Sequence, residues 1–87
     1  MRDDELHIKK IRNGTFILYN KYTGGHSHFR NRKAAATCRR LLIKGIMPKQ
    51  PYFRETARRV LTDDDWESLR QKKQKDMYIN INKGVKQ

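Results

Sequence analysis

Leu6-His7-Ile8-Lys9-Lys10-Ile11-Arg12-Asn13-Gly14-Thr15-Phe16-Ile17-Leu18-Tyr19-Asn20 is the stretch whose reading decides the fold. Leu6 to Arg12 and Thr15 to Asn20 are short runs rich in Ile, Phe, Leu and Tyr. Between them stands Asn13-Gly14, a dipeptide that tolerates the positive φ angles of a tight type I′ turn, so the pattern predicts a β hairpin. Thr23-Gly24-Gly25 is a second turn cluster, and His26 to Arg30 alternates as a half-buried third strand does. A three-stranded antiparallel meander follows. Alternation puts His26, His28 and Arg30 on one side of the third strand and Ser27 and Phe29 on the other, which makes Phe29 the expected core residue.

From Arg32 the composition turns to helix formers, with Ala34, Ala35, Ala36, Leu41 and Leu42 before a stop at Gly45. On a helical wheel Ala34, Cys38, Leu41 and Leu42 share one side, which should lie on the sheet. Arg32, Lys33, Arg39, Arg40 and Lys44 occupy the other. Met47-Pro48-Lys49-Gln50-Pro51 breaks this helix, because proline lacks a donor and disfavours helix in the residue before it. A second helix is expected from about Tyr52 to Val60. Leu61-Thr62-Asp63-Asp64-Asp65-Trp66 then reads as a third helix start, with Thr62 as N-cap, Asp65 at N3, and Leu61 packing on Trp66 as a staple. Those carboxylates suit the positive end of the helix dipole, with Arg70, Lys72, Lys73 and Lys75 toward the other end.

The expected fold class is therefore α+β: a three-stranded antiparallel sheet packed by one α-helix, followed by one or two C-terminal helices. The expected organisation is a single small domain over 1–87, with a basic β-β-β-α unit at 6–45, a linker at 46–51, a helical part at 52–76 and a tail at 77–87. In the tail, Tyr78, Ile79 and Ile81 are the residues with something to dock. A chain of 87 residues has material for only one core. That makes a catalytic cleft with its own walls an unexpected feature.

The charge is segregated along the chain. Between Leu6 and Arg54 there is no Asp or Glu, while twelve Lys or Arg fall within those 49 residues. The remainder holds nine basic and nine acidic side chains, so the net charge of +12 comes from one block. Such a field points to an anionic partner, of which nucleic acid is the commonest large one. Solubility alone needs no such segregation, since interspersed charges serve it as well.

Other chemistries find little support. Asp63, Asp64 and Asp65 already serve as helix chemistry, and consecutive helical positions point about 100° apart. There is no Ser, His, Asp constellation, phosphate loop or zinc motif, so no enzyme and no cofactor is expected. His26 and His28 share a strand face, but four zinc ligands would require His7 and a buried-side Cys38 as well. A single cysteine excludes an internal disulfide. No apolar run approaches the roughly 20 residues of a membrane span, and the start of the chain does not resemble a signal peptide, so a cytoplasmic protein that binds no membrane is expected.

A two- or three-stranded ribbon is narrow enough for the DNA major groove. The residues expected to bind nucleic acid are Lys9, Lys10, Arg12, Tyr19, Lys21, His26, His28, Arg30, Arg32, Lys33, Arg39, Arg40 and Lys44. Phosphate contacts would come from the turns and the basic helix. Duplex DNA is favoured over RNA, although Tyr19, Tyr22, Tyr52 and Phe53 offer rings on which unpaired bases could stack. The rival from another class is a small adaptor or inhibitor that grips an acidic host protein, with Ile43 as an apolar centre amid the helix cations.

The stretch from Lys10 to Gly25, followed by Phe29, Arg32-Lys33 and an Ala-rich helix, resembles the arm-type DNA-binding domain at the N-terminus of tyrosine recombinases from phages and other mobile elements. The resemblance covers residues 6–45 and implies a sheet placed in the major groove. It would give base or backbone contacts to Lys10, Arg12, Tyr19, His28 and Arg30, in a small accessory or regulatory protein of a phage or mobile element. The Arg-Lys-Ala-Ala-Ala run also looks like the final helix of double-stranded-RNA-binding domains, whose helix before the strands is missing here.

Overall fold

The computed structural model describes residues 3–71. A single 3-10 turn, Asp3–Glu5, leads into β1 (Leu6–Lys10), β2 (Phe16–Asn20) and β3 (His26–Phe29), an antiparallel meander in the order β1-β2-β3. Helices α1 (Arg32–Ile43) and α2 (Pro51–Val60) follow, and residues 63–71 form a third helix, α3. This is the expected α+β arrangement. The expectations for Lys72, Lys73, Lys75 and the tail from Met77 lie outside the described residues.

The first hairpin forms, but its turn is one residue longer than Asn13-Gly14 alone predicts. Gly14 N–H donates to the Ile11 carbonyl at 3.0 Å, and Ile11 N–H donates to the Thr15 carbonyl at 2.9 Å. Arg12, Asn13 and Gly14 thus make a three-residue loop in which Gly14 has φ +88° and no non-glycine residue has positive φ. That combination is a type I turn followed by a left-handed glycine, not a type I′ turn. Asn13 Oδ1 supports it by accepting from Thr15 N–H at 3.1 Å and Thr15 Oγ1 at 2.7 Å. The physical reason lies in register. A type I′ turn would set Ile8 opposite Tyr19, whereas the observed pairing sets Ile8 opposite Leu18 and Leu6 opposite Asn20. A one-residue slip would move the β1 apolar set off the face that β2 buries.

One face of the sheet carries Leu6, Ile8, Phe16, Leu18, Asn20, Ser27 and Phe29, and both α1 and α2 pack on it. α1 buries Ala35, Cys38 and Leu42. Ala34 and Leu41 flank that line half-buried, so the seam sits slightly to one side of the one the wheel predicts. Asn31 caps the helix through Oδ1, which accepts from Ala34 N–H at 2.8 Å. Gly45, at φ +75°, ends it: Gly45 N–H donates to the Leu42 carbonyl and Ile46 N–H to that of Leu41.

α2 starts with Pro51 at its first position and buries Phe53, Thr56, Ala57 and Val60, a clean i, i+3, i+4, i+7 stripe. Phe53 and Tyr52 meet Phe29 edge to face, with centroids 5.9 and 5.4 Å away. α2 thus completes the core of the β-β-β-α unit. Its C-terminal end comes so close to the sheet that a Cβ on Gly25 would lie 1.8 Å from the Arg59 carbonyl oxygen. Asn20, fully buried, ties this junction: Nδ2 donates to the Val60 carbonyl at 2.7 Å and Glu5 Oε2 at 3.3 Å. Its Oδ1 accepts from Tyr22 and Thr23 N–H at 2.8 and 3.2 Å. α3 is capped as predicted, Asp65 N–H donating to Thr62 Oγ1 at 3.1 Å, and Leu61, Leu69 and Trp66 join the same core.

Candidate nucleic-acid interface

With both helices on one side, the other side of the sheet is left uncovered among the described residues. It carries His7 and Lys9 from β1, Ile17 and Tyr19 from β2, and His26 and His28 from β3. The register sets them in two rows across the strands: His7, Tyr19 and His26 in one, Lys9, Ile17 and His28 in the other. Lys9, His26 and His28 are exposed, while His7, Ile17 and Tyr19 are half-buried by their neighbours. Ring centroids of His7 and Tyr19 lie 5.7 Å apart, and those of His26 and His28 5.4 Å apart. His7 Nε2 is 2.7 Å from the Asp4 carbonyl oxygen, which can only accept, so that nitrogen carries the hydrogen.

The strands bring Lys9, Tyr19, His26 and His28 together as expected. His7 and Ile17 belong with them and were legible from the same alternation, His7 two residues before Lys9 and Ile17 two before Tyr19. Lys10 does not belong there. Its parity puts it on the face of Ile8 and Phe16, where it is exposed beyond the helix at the hairpin end. Arg30 is not a strand residue either, because β3 stops at Phe29, and it lies exposed in the connection to α1.

The other cations sort by position. Lys9, Lys10, Arg12, Arg30, Arg32 and Lys33 gather at the hairpin end of the sheet, all exposed. Arg32 there holds its guanidinium 5.1 Å from the Phe16 ring centroid. Lys21 sits at the opposite end, 3.6 Å from Asp4 Oδ2 and with its ammonium 5.2 Å from the Tyr22 ring centroid.

Arg39 departs most from expectation. The wheel gives it to solvent, yet it is half-buried and its Nε donates to the Leu6 carbonyl at 2.7 Å. The Glu5 carbonyl accepts Lys21 N–H, so the next carbonyl, that of Leu6, points off the free edge of β1, and Arg39 satisfies it. Its role is structural. Arg40 and Lys44 are exposed, but on α1, in the layer behind the uncovered face.

Two further expectations are corrected by packing. Ile43 is half-buried against the core and borders a groove with Leu61 and Leu69, so it is no outward apolar centre. Phe53, 7% exposed, is a core residue with no ring surface to offer a base. Cys38 is buried, and desolvation pushes its thiol from 9.0 up to about 12, which fits the small core residue that its place on the wheel predicts.

Among the described residues, no three His, Cys, Asp or Glu side chains come together as metal ligands, and no helix is long and apolar enough to cross a membrane. Compared with protein-family models, curated proteins and solved structures, the chain finds no match. The geometry itself is therefore the guide: a bare sheet face with imidazole, phenol, ammonium and one aliphatic side chain, bordered at one end by cations.

Proposed function

We propose that this protein is a non-catalytic nucleic-acid-binding protein that takes duplex DNA on its uncovered sheet face, in an accessory or regulatory role. One coincidence carries the reading: the face left free by both helices ends at the hairpin cluster of Lys9, Lys10, Arg12, Arg30, Arg32 and Lys33. Three strands about 4.8 Å apart set the outer strand axes roughly 10 Å from each other, comparable with a major groove about 12 Å wide. In this pose Lys9, Tyr19, His26 and His28 meet base edges and the other hairpin-end cations meet phosphates. Arg40 and Lys44 face away from the duplex, and Arg39 stays in the protein.

With about four to six phosphate contacts, the logarithm of the binding constant should fall against the logarithm of salt with a slope near −4 to −5. The test is an NMR titration of the labelled protein with duplex DNA, single-stranded DNA and RNA at two salt concentrations. Shifts on β1, β2, β3 and the Arg12 to Gly14 loop, largest for the duplex, support the reading. A response confined to RNA or single strands would transfer it to unpaired bases. A flat salt dependence, or shifts confined to α1 and α2, would sink it. The rival grip on an acidic protein loses its apolar anchor now that Ile43 packs inward.

A further inference from the structure

We propose that Ile17 reads the C5-methyl group of thymine, so that the uncovered face distinguishes thymine from uracil and from cytosine in a duplex. The inference rests on the duplex reading above and adds to it a base and a residue. Ile17 stands on the central strand, with Lys9 and His28 as its partners in register on either side. It takes no part in the hydrophobic core, which draws on Leu18 and the other side of β2. An aliphatic side chain in the middle of a face of ammonium, imidazole and phenol groups suits a central strand, and the core makes no further demand on it to be apolar. In the major groove the one apolar group on a base edge is the thymine methyl, which favours aliphatic contact.

Local shape and charge agree with that assignment. Lys9, Ile17, Tyr19, Gly24 and His26 line a shallow hollow, so Ile17 is reached by a small protruding group more readily than by a flat ring. The row that contains Ile17 is also the one next to the hairpin-end cations, whereas the row of His7 borders Asp4. A phosphate backbone drawn to those cations would lay the base edges over Lys9, Ile17 and His28 first. Lys9 is then placed to donate to a guanine O6 or N7 and His28 to a purine N7, which makes a thymine flanked by purine the favoured step.

The test begins with selection of a preferred site from a random duplex pool by the full chain. Each thymine of the selected duplex is then replaced singly by deoxyuridine, which removes only the methyl group, and affinity is read by fluorescence anisotropy. One or two positions should lose about fourfold in affinity with the natural chain, the loss expected for one buried methyl. Those positions should lose nothing further with Ile17→Ala. Ile17→Gln, which keeps side-chain length but removes the apolar end, provides the same readout if the alanine variant folds poorly. Uniform indifference to deoxyuridine, or a loss that persists unchanged in both Ile17 variants, overturns the inference and leaves duplex binding standing. Absence of any duplex binding overturns both together.

Discussion

Asn20→Asp is the substitution that most directly tests how the fold is held, because it changes one side chain from donor and acceptor to acceptor alone without changing its shape. Asn20 is fully buried, and its Nδ2 donates to the Val60 carbonyl at 2.7 Å and to Glu5 Oε2 at 3.3 Å. A carboxylate there would keep the bonds from Tyr22 and Thr23 N–H, but it would face a carbonyl and another carboxylate with no hydrogen to give. Leaving a buried carbonyl without its partner costs about 1–3 kcal/mol, and burying the new charge adds several more.

The charge cost has a ceiling, because the introduced carboxyl can take up a proton and donate to Val60 again. Protonating it at pH 7 against an ordinary value near 3.9 costs about 4 kcal/mol, and that bounds the destabilisation. A chain of this size is expected to be stable by roughly 4–13 kcal/mol, so the variant should stand near its folding threshold at neutral pH. The pH dependence carries the sign. Burial raises the folded value of the introduced carboxyl above its unfolded value, so its protonated form supports folding below about pH 4 and that support is lost as pH rises through the folded value. Urea denaturation of both proteins at pH 4.5 and pH 7 is the assay, and the gap between them should widen by about 2–3 kcal/mol toward pH 7. A gap under about 1 kcal/mol, or one that does not change with pH, would refute the role given to Asn20.

Gly25→Ala should destabilise by about 2–4 kcal/mol, since the added methyl meets the Arg59 carbonyl oxygen. Gly14→Ala, with open space around it, should lose only the roughly 1–2 kcal/mol of a left-handed backbone, and the two thermal melts measured side by side decide it. Thr56 is buried, and Oγ1 has no partner among the described residues, so Thr56→Val should raise stability by about 1 kcal/mol, or roughly 4–8 °C in Tm; a lower Tm contradicts this. The Cys38 thiol, pushed up to about 12, should react with a disulfide reagent at pH 8 only as fast as the chain opens. Its contribution to stability holds below pH 9.0 and is lost as pH rises toward about 12. Lys33→Glu puts an acid in the first turn of α1, so it should stabilise the free protein by a few tenths of a kcal/mol while weakening duplex binding; a melt and an anisotropy titration must show opposite signs.

Much of the fold was legible because it rests on local chemistry. The strand runs, the glycines after them, Asn31 through Gly45 and the Thr62 cap all act within a few residues of themselves. The turn type was not, because Asn13-Gly14 fits two loops and only the pairing of Leu6 and Ile8 with Leu18 and Asn20 chooses between them. Asn20 looked like a strand end before a turn. Its decisive partner, Val60, lies forty residues away and is a backbone carbonyl, which no side-chain pattern marks. Arg39 failed for the same reason, since the group it satisfies is the edge carbonyl of Leu6. For the candidate site, alternation placed His26 and His28 together but added Arg30, which lies past the end of β3, and applied to the other strands it would have placed His7, Lys9, Ile17 and Tyr19. What it could not give is that α2 joins α1 on the same face of the sheet and leaves the other bare.

The same chain obeys a local rule in one helix and breaks it in another, and the difference has a position. α3 opens with Asp63, Asp64 and Asp65, acids at the positive end of the dipole, and its N-terminus belongs to the supporting layer. α1 opens with Arg32 and Lys33 and has no acid in its first turn, a placement that opposes the dipole and adds repulsion from Arg30 and Arg12 nearby. Nothing in the core requires those cations. Arg32 gains a contact with the Phe16 ring, but Lys33, Arg30, Lys10 and Arg12 are exposed. For Lys33 the local rule is broken with no contact among the described residues to offset it, the kind of departure expected at a functional site. The charge is positive, collected at the hairpin end and continuous with the bare face, so the proposed function calls for an anion long enough to meet both. A duplex meets that requirement through its backbone and its groove at once, and its binding should raise the melting temperature of the free protein by relieving the repulsion at that end.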